Sequence, residues 1–326
     1  MRIWRSLADV PADLGPTVVT IGNFDGVHLG HAHVVAEARA AAQRGGAQRV
    51  GAQRDGGLPV VAVTFDPHPI AVLRPEHAPT IITTIEDRAR LLADAGVDDV
   101  LVVPFDRETA GWSPQRFVDD ILVGSLHASV VVVGDNFRFG AKAAGDVRTL
   151  VELGRDRGFT VVDVALDGGP QVWSSTYVRT CLAAGDVEGA AEALGRSFTV
   201  RGVVVEGEKR GHQLGYPTAN VPTAGMAAAP ADGVYAGWLR RLDEPEASAL
   251  PAAISVGTNP TFDGVVRAVE SYVLDRDDLE LYGVEVEVSF TARLRGMEKF
   301  DTVDALLVRM ADDVDRARAL LLSPAQ

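Results

Sequence analysis

The sequence has little cysteine and no long apolar run, and each of these absences excludes a class of protein. The single cysteine, Cys181, excludes an internal disulfide and a cysteine-ligated metal cluster, and it is consistent with a reducing cytoplasm. No apolar run approaches the ~20 residues of a membrane-spanning helix, and residues 1–6 lack the apolar core of a secretory signal. We therefore expect a cytoplasmic protein without a membrane segment.

Positive charge is scarce as well. The 326 residues include 31 Lys and Arg against 45 Asp and Glu, which gives a formal net charge of −14. A broad nucleic-acid-binding surface needs a basic patch, so we expect no nucleic-acid partner, although a local group of donors can still hold a nucleotide phosphate. The length suits two domains, and a content of 47% hydrophobic and 23% charged residues is typical of globular proteins.

The most informative segment is residues 22–31, with the sequence GNFDGVHLGH. An apolar stretch precedes it and residues with helical spacing follow it, which predicts a strand, a glycine-bearing turn and a helix. Such a turn presents backbone N–H groups and the positive end of a helix to an anion. At this spacing His28 and His31 share one face of the helix and are suited to donate to phosphoryl oxygens.

Other interpretations of this segment stay open on spacing alone. Glycine-bearing turns between strands and helices often have no ligand, and two histidines three residues apart also occur as metal ligands or as exposed side chains. The order H-x-G-H favours a nucleotide, because Gly30 removes a side chain where a nucleotide would approach closely.

The first part of the chain alternates short apolar, β-branched runs with helical stretches, which predicts a doubly wound α/β domain with a parallel sheet. The predicted strands are residues 18–21, 60–65, 100–103, 130–133 and 160–164, and the predicted helices are residues 32–42, 86–95, 114–121 and 147–157. Loops 22–31, 66–69 and 134–140 follow strands directly, so we expect them to line one crevice at the carboxyl edge of the sheet.

Three further segments bring polar or aromatic side chains to this predicted crevice. The segment TFDPHP contains Phe65 and His68, the segment GDNFRFG contains Asn136 and Arg138, and the segment WSSTYVR places hydroxyls ahead of Arg179. Each segment also has a plain structural interpretation: a rigid turn, a loop that buries two phenylalanines, and helix N-caps.

Residues 45–57 depart from this pattern, because they contain the tetrapeptide GAQR twice and are rich in glycine. We interpret them as a flexible surface insertion; a basic arm for nucleic acid is the alternative, which their few positive charges disfavour. Two short helices are predicted after Ser175. Residues 187–198 are predicted to join a first domain, residues 1–186, to a second domain, residues 199–326.

Beyond this boundary the pattern changes to strands without intervening helices, which predicts a small, mostly antiparallel barrel. The predicted strands are residues 199–205, 233–239, 252–256, 268–274 and 284–290. A helix over residues 303–322 is expected to pack against the barrel through an apolar side formed by Val303, Leu306, Leu307, Met310, Val314, Ala317 and Leu321.

A second polar segment, residues 207–220, has the sequence GEKRGHQLGYPTAN. Its glycines frame a loop suited to cover phosphates, and Thr218 and Asn220, two apart in an extended segment, point the same way. A hydroxyl and an amide oxygen suit Mg²⁺ that is bound to nucleotide phosphates, but a hairpin turn and an ordinary strand fit the same residues. Glu270, in a later predicted strand, is either a solvated side chain or a base.

In this order the motifs resemble those of the bifunctional bacterial riboflavin kinase/FAD synthetase family. Residues 22–31 are similar to the HxGH motif of nucleotidylyltransferases, and residues 207–220 are similar to the ATP and Mg²⁺ site of the riboflavin kinase module. The resemblance implies that the second domain phosphorylates riboflavin to FMN, and that the first transfers AMP from ATP to FMN, giving FAD and pyrophosphate. It implies ATP as co-substrate, Mg²⁺ as cofactor and no tightly bound prosthetic group. It leaves the oligomeric state open, transient self-association included.

The resemblance also assigns residues. It implies catalytic roles for His28, His31, Arg179 and Glu270, the last as the base for the ribityl 5′-hydroxyl, and it implies metal binding by Thr218 and Asn220. It implies ATP binding by Gly22, Phe24, Gly30, Ser175, Thr176, Gly207, Lys209, Gly211 and His212. It implies flavin binding by Phe65, His68, Asn136, Arg138 and Arg293.

Two positions depart from the family pattern: His212 replaces the usual arginine, and Arg276 stands where an aromatic residue is usual. The first would weaken phosphate binding in the kinase site or make it pH-sensitive, and the second would alter flavin contacts nearby. Two alternatives follow: a protein that makes FAD only, with an impaired kinase site, and a flavin-binding regulator without turnover. The presence of Thr218, Asn220 and Glu270 favours an active kinase.

Overall fold

The chain forms two compact units in a computed structural model that describes residues 1–47, 57–165, 173–207, 215–223, 227–244, 246–261 and 264–323. The units are Met1–Ser174 and Ser175–Gln326. The two helices after Ser174 belong to the second compact unit, whereas the sequence predicted a domain boundary over residues 187–198. The functional limits of the two domains stay a prediction. Of the predicted insertion, residues 48–56 lie outside the described residues.

The first unit is built on a six-stranded parallel sheet in the order β1-β4-β3-β2-β5-β8, which confirms the predicted doubly wound domain. The strands are β1 (Arg2–Trp4), β2 (Thr17–Ile21), β3 (Val60–Asp66), β4 (Asp99–Pro104), β5 (Ala128–Gly134), the short β6 (Arg138–Phe139) and β7 (Gly145–Asp146), and β8 (Thr160–Val164). The helices are α1 (Leu29–Ala47), α2 (Pro69–Leu73), α3 (Ile85–Asp94), α4 (Arg107–Ala110), α5 (Pro114–Phe117) and α6 (Val147–Arg157).

Both faces of this sheet are covered, because alternate residues of each central strand belong to two separate apolar clusters. On β2, Val18 lies in one cluster and Val19 in the other, and both are fully buried. Side chains cap the helices that cover the sheet: Thr84 accepts a hydrogen bond at the start of α3, and Asp146 does so at the start of α6. Near-continuous β-branched strands therefore form a sheet that is buried on both sides.

The strand order places a crevice beside β2. The chain passes from β2 to β3 and β4 on one side and then returns to β5 on the other side of β2. In parallel sheets, ligands bind at the carboxyl ends of the strands where the order reverses. Residues 22–31 and 134–140 follow β2 and β5, and residues 66–69 end β3, the other neighbour of β2.

The edge strand β1 was not predicted, because three residues are too few to show a periodic pattern. Arg2 holds this strand to β4: its backbone N–H and its guanidinium donate to the Asp99 carboxylate at 2.6–3.0 Å. The short elements β6, β7, α2 and α4 were not predicted either.

Two helices differ from their predicted limits by more than one residue. The helix predicted over residues 114–121 is α5 followed by a π-helix over Val118–Ser125, where the N–H of Leu126 donates to the carbonyl of Ile121. Helix α1 begins at Leu29, ahead of its predicted start, and includes the first residues of the predicted insertion.

In its described ranges, the second unit contains two helices, a six-stranded antiparallel barrel and a C-terminal helix. Its elements are α7 (Ser175–Ala184), α8 (Val187–Leu194), β9 (Thr199–Val203), β10 (Ala219–Pro222), β11 (Gly233–Arg241), β12 (Leu250–Thr261), β13 (Gly264–Val273), β14 (Glu285–Gly296) and α9 (Val303–Leu322). The strand order is β10-β13-β12-β11-β14-β9, and a bridge between Val205 and Asn220 brings the two edges together. The predicted barrel is confirmed, but β10 was not among its predicted strands.

Helix α9 spans the residues predicted for it and packs on the barrel through Val314, Ala317 and Leu321. The prediction that Val303 belongs to the packed side is wrong, because its side chain at the start of the helix is 58% exposed. Like every other helix in the described part of the chain, α9 is not long and apolar enough to cross a membrane.

Candidate functional site

The loop between β2 and α1 has an unusual backbone. Phe24, Gly26 and Val27 have φ angles of +48°, +86° and +41°, in the left-handed region that non-glycine residues seldom occupy. The Phe24 ring is 1% exposed and packs edge-on against the ring of His31 at 5.1 Å. Phe24 is therefore used in packing, and its predicted contact with ATP stays a prediction.

His28 directly precedes α1 and caps it. Its Nδ1 accepts a hydrogen bond from the backbone N–H of His31 at 3.4 Å, the role that an N-cap side chain has. With Nδ1 acting as an acceptor, the proton of the neutral imidazole lies on Nε2, so Nε2 can donate to an anionic oxygen.

The two histidines of the motif lie together, as the spacing predicted. Their rings stack with centroids 3.7 Å apart. Burial lowers the pKa of the His31 imidazole well below its ordinary value, and the nearby His28 and Arg88 lower it further. The His31 ring is therefore neutral at pH 7, and its shielded Nδ1 has no hydrogen-bond partner within the described ranges.

Gly30 is packed closely by the protein itself. A Cβ atom at Gly30 would lie 3.1 Å from the imidazole of His28 and 3.3 Å from the carbonyl oxygen of Trp173. The absence of a side chain therefore makes room for His28, and the predicted approach of a nucleotide at Gly30 stays a prediction. Gly22 is similar, since a Cβ there would lie 3.3 Å from the Phe24 ring.

Asp25, the acidic residue of the motif, does not face the crevice. Its carboxylate is 1% exposed and accepts hydrogen bonds from the N–H groups of Ile82 and Thr83 at 2.9–3.1 Å. Arg88 of α3 donates to the same carboxylate at 3.4 Å, and the N–H of Gly26 donates to the Thr83 hydroxyl at 3.0 Å. Sequence reasoning missed this network, because no local pattern connects residue 25 with residues 82–88.

The loop after β3 meets the histidine motif. The side chains of Asn23 and His68 lie 3.4 Å apart, and Nδ1 of His68 caps α2 by accepting from the N–H of Ile70 at 3.2 Å. Phe65 is partly buried and packs edge-on against Phe105. His68 is therefore near the crevice, whereas the ring of Phe65 is used at least partly in packing.

The loop after β5 divides its side chains between core and solvent. Phe139 is buried and stacks with the partly buried Phe137, with ring centroids 5.4 Å apart. The loop therefore buries its two phenylalanines, which was the plain structural interpretation of this segment. Asn136 and Arg138 are exposed, which leaves both available for the flavin contacts that were predicted for them.

The remaining predicted residues for ATP in the first site belong to the second compact unit. Ser175 is the first residue of α7, Thr176 is exposed, and Arg179 lies one turn further along the helix. Their predicted roles stay predictions.

In the second unit, three predicted residues lie together. Asn220 of β10 is paired in register with Glu270 of β13. The side-chain amide of Asn220 donates to the carbonyl and hydroxyl oxygens of Thr218 at 3.1 and 3.4 Å. A Cβ at Gly207 would lie 2.7 Å from this amide, so the glycine makes room for the Asn220 side chain.

A cleft of about 150 Å³ opens beside Thr218. Its walls combine apolar side chains, among them Val204, Val273, Leu279 and Leu281, with the polar side chains of Arg276, Asp277 and Tyr282. The buried Ser271 faces the same cleft with a hydroxyl that has no hydrogen-bond partner among the described residues. Sequence reasoning missed Ser271, which looked like one more residue of a strand.

Arg276, the departure from the family pattern, is bound to a neighbour. Its guanidinium donates to the Asp278 carboxylate at 2.5 and 2.9 Å, and this interaction raises the pKa of Arg276.

Arg293 donates to the carbonyl of Ala184, at the end of α7, at 2.8 Å and to the carbonyl of Asp232 at 3.1 Å. Arg293 thus joins α7 to the barrel, and its predicted flavin contact stays a prediction.

Three predicted ATP-binding residues, Lys209, Gly211 and His212, lie outside the described residues. Within the ranges that the structure does describe, no group of three or more His, Cys, Asp or Glu side chains is placed to hold a metal ion.

Two family models match the chain in series. The model for FAD synthetase matches residues 10–176 and the model for riboflavin kinase matches residues 194–321. Each match contains one of the two clusters described above.

Relatives that match almost the whole chain are named for both activities. The chain is 38% identical over 303 residues to the bifunctional riboflavin kinase/FMN adenylyltransferase of Escherichia coli (strain K12), covering 92% of this chain and 91% of the relative. It is 32% identical over 326 residues to the protein of the same name from Haemophilus influenzae, covering 99% and 100%. A crystal structure from Streptococcus pneumoniae, named as a macrolide-efflux protein, is similar with a TM-score of 0.83 and 29% identity, covering 97% of this chain and 98% of that one.

Proposed function

Because the chain belongs to the bifunctional riboflavin kinase/FMN adenylyltransferase family, we propose that its second unit phosphorylates riboflavin to FMN and its first unit adenylylates FMN to FAD. The observation that carries the proposal is that each unit has its own cluster of reactive side chains. The stacked His28 and His31 form one cluster, and the register-paired Asn220 and Glu270 form the other.

In the adenylyl transfer, an FMN phosphate oxygen attacks the α-phosphorus of ATP. The bond from the α-phosphorus to the oxygen that bridges to the β-phosphorus breaks, and pyrophosphate leaves. Nε2 of His28 and the neutral ring of His31 donate to phosphate oxygens on which negative charge increases in the transition state. Arg179 would add a fixed positive charge, by resemblance to the family.

In the kinase reaction, the ribityl 5′-hydroxyl of riboflavin attacks the γ-phosphorus of ATP and ADP leaves. The Glu270 carboxylate accepts the proton of that hydroxyl. Phosphoryl transfer depends mainly on positioning and on neutralising charge, so the contribution of such a base is modest.

Thr218 and Asn220 fit a magnesium ion by their chemistry and their placement. The hydroxyl and the amide belong to alternate residues of one extended segment, and the amide nitrogen donates to the hydroxyl. The hydroxyl oxygen and the amide oxygen are hard ligands of the kind that Mg²⁺ prefers. When bound, the ion would neutralise charge on the ATP phosphates. The resemblance to the family supports Mg²⁺ as the cofactor and the cytoplasm as the location.

Product analysis with riboflavin and with FMN as separate substrates tests the proposal. Purified protein with ATP and Mg²⁺ should form FMN and FAD from riboflavin, and FAD from FMN. Conversion of FMN alone would support an impaired kinase site at His212. Stoichiometric flavin binding without ATP consumption would support a regulator and overturn the proposal.

Two variants should separate the activities. His28→Ala combined with His31→Ala should lower FAD formation by about 10²–10³-fold, because donors to the phosphates are lost, and should leave FMN formation unchanged. Glu270→Ala should do the reverse, lowering FMN formation by roughly 10²-fold. Initial rates with each substrate measure both effects.

Matched substitutions serve as controls. His33 is an exposed histidine on α1, and Glu285 is an exposed glutamate on β14. His33→Ala and Glu285→Ala should leave both activities unchanged. Loss of both activities in either test variant would contradict two separate sites.

A further inference from the structure

We infer that Arg88, a buried arginine on α3, is a positioning residue for adenylyl transfer and acts on the histidine motif through Asp25 and Thr64. The inference rests on the proposed role of His28 and His31. It adds a residue that lies outside every motif of the sequence and that does not itself contact the reacting phosphates.

The guanidinium of Arg88 is buried in the first unit and donates hydrogen bonds there. Its side chain is 4% exposed. It donates to the Thr64 hydroxyl at 3.1 Å, to the Thr83 carbonyl at 3.3 Å and to the Asp25 carboxylate at 3.4 Å. Arginine is almost never buried unless it is paired, and a buried ion pair is seldom the most stabilising choice for a core position.

These partners hold the motif loop just before its first residue of positive φ and again at Asp25 and Gly26. The Thr64 hydroxyl donates to the carbonyl of Asn23 at 2.9 Å, just before Phe24. The Thr83 hydroxyl donates to Asp25 at 3.1 Å and accepts from the N–H of Gly26 at 3.0 Å. A backbone with positive φ at non-glycine residues persists only where its surroundings hold it, and Arg88 joins the groups that hold this one.

The positive charge of Arg88 also acts on the ring of His31. The groups that act on the His31 ring are His28 from the same loop and Arg88 from α3, with Asp25 as the counter-charge of the arginine. The positive charge of Arg88 opposes protonation of His31. Its removal would raise the pKa of His31 toward the ordinary value, although burial would still lower it.

The test compares Arg88→Lys and Arg88→Met in the full-length protein. Arg88→Met should lower kcat for FAD formation by about 10²-fold, the scale of a small misplacement of catalytic groups. It should also move the acid limb of the pH profile of kcat to higher pH, because His31 is protonated more easily. Arg88→Lys keeps the charge, so its acid limb should stay in place while kcat falls by a smaller factor.

Two controls accompany these variants. FMN formation by the same preparation reports on the second unit and should not change. Arg90 lies on the same helix, is 39% exposed and pairs with Asp87 and Asp94, so Arg90→Met should leave kcat and the pH profile unchanged.

Thr64→Val keeps the inference testable if Arg88→Met does not fold. It removes the hydroxyl that joins Arg88 to Asn23 and should lower kcat by about tenfold without moving the acid limb. An unchanged kcat in folded Arg88→Met or in Thr64→Val would overturn the inference, as would equal losses in the lysine and methionine variants with no shift of the limb. Full FAD formation by the variant lacking His28 and His31 would instead overturn the proposed function.

Discussion

At the residue scale, Gly30 connects the packing of the first unit with its chemistry. Gly30→Ala places a methyl group 3.1 Å from the His28 ring and 3.3 Å from a backbone oxygen that cannot move easily. We expect His28 to be displaced and kcat for FAD formation to fall by about tenfold to 10²-fold, in line with the usual cost of overpacking. Steady-state kinetics with FMN and ATP measure the change.

The control for this variant is Gly15→Ala. A Cβ at Gly15 would meet no atom within 4 Å, and the residue belongs to the same unit. FAD formation should stay at the level of the unchanged protein, and an equal loss in both variants would show that the effect at Gly30 is not local.

The individual residues show which kinds of reasoning succeed on a sequence. His28 and His31 could be placed together because helical periodicity is local. The burial of Phe24 could not be predicted, because a motif letter does not reveal which way its side chain turns. Arg88 and Ser271 could not be found, since their importance depends on contacts with residues distant in sequence.

At the scale of elements, α9 is held on the barrel by a buried ion pair. Arg295 donates to the Asp313 carboxylate at 2.7–3.0 Å, with the two side chains 10% and 5% exposed. Asp313→Ala leaves the arginine charge buried without its partner, so we expect the free energy of unfolding to fall by about 3–5 kcal/mol. Urea unfolding monitored by circular dichroism, with FMN formation as a second readout, measures the loss.

Asp315→Ala on the same helix makes a matched comparison. Asp315 is 75% exposed and pairs with Arg318. Exposed pairs contribute little, so its substitution should change stability by less than about 1 kcal/mol. Similar losses in the two variants would contradict a special role for the pair between Arg295 and Asp313.

Elements with strong periodicity were predictable, and short ones were not. The limits of α6, α9 and β8 agree with the sequence, because each has a regular apolar pattern and α6 has a cap at its start. The strands β1 and β10 have three and four residues, which is too few for a pattern, and their place is fixed by partners in other parts of the chain.

At the scale of the whole molecule, the pair His28 and His31 and the pair Asn220 and Glu270 belong to separate compact units. A mixture of the two single-site proteins, one lacking His28 and His31 and the other lacking Glu270, should therefore make FAD from riboflavin and ATP. FMN released by the first protein is the substrate of the second, so FAD should appear after a lag, which chromatography of the flavins resolves.

The contrary outcome of this mixing experiment is also informative. FMN could stay bound to the protein that makes it, at no more than one equivalent, and no FAD would form although the Glu270→Ala protein converts added FMN. In that case, transfer between sites of one chain, rather than through solution, would be required. The sequence does not decide this question, because ordered motifs establish which chemistry is present but not how far apart in space two sites lie.

The bridge between Val205 and Asn220 has a consequence for the barrel as a whole. The main-chain carbonyl of Asn220 accepts from the N–H of Val205 at 2.9 Å, while its side chain belongs to the proposed metal site. If Asn220 binds the metal as proposed, one residue contributes both to joining the barrel edges and to ligand binding. Joining of the barrel edges and binding of the ligand are then thermodynamically linked. A ligand that prefers the joined edges stabilises them, and the joined edges increase the affinity for that ligand by the same factor.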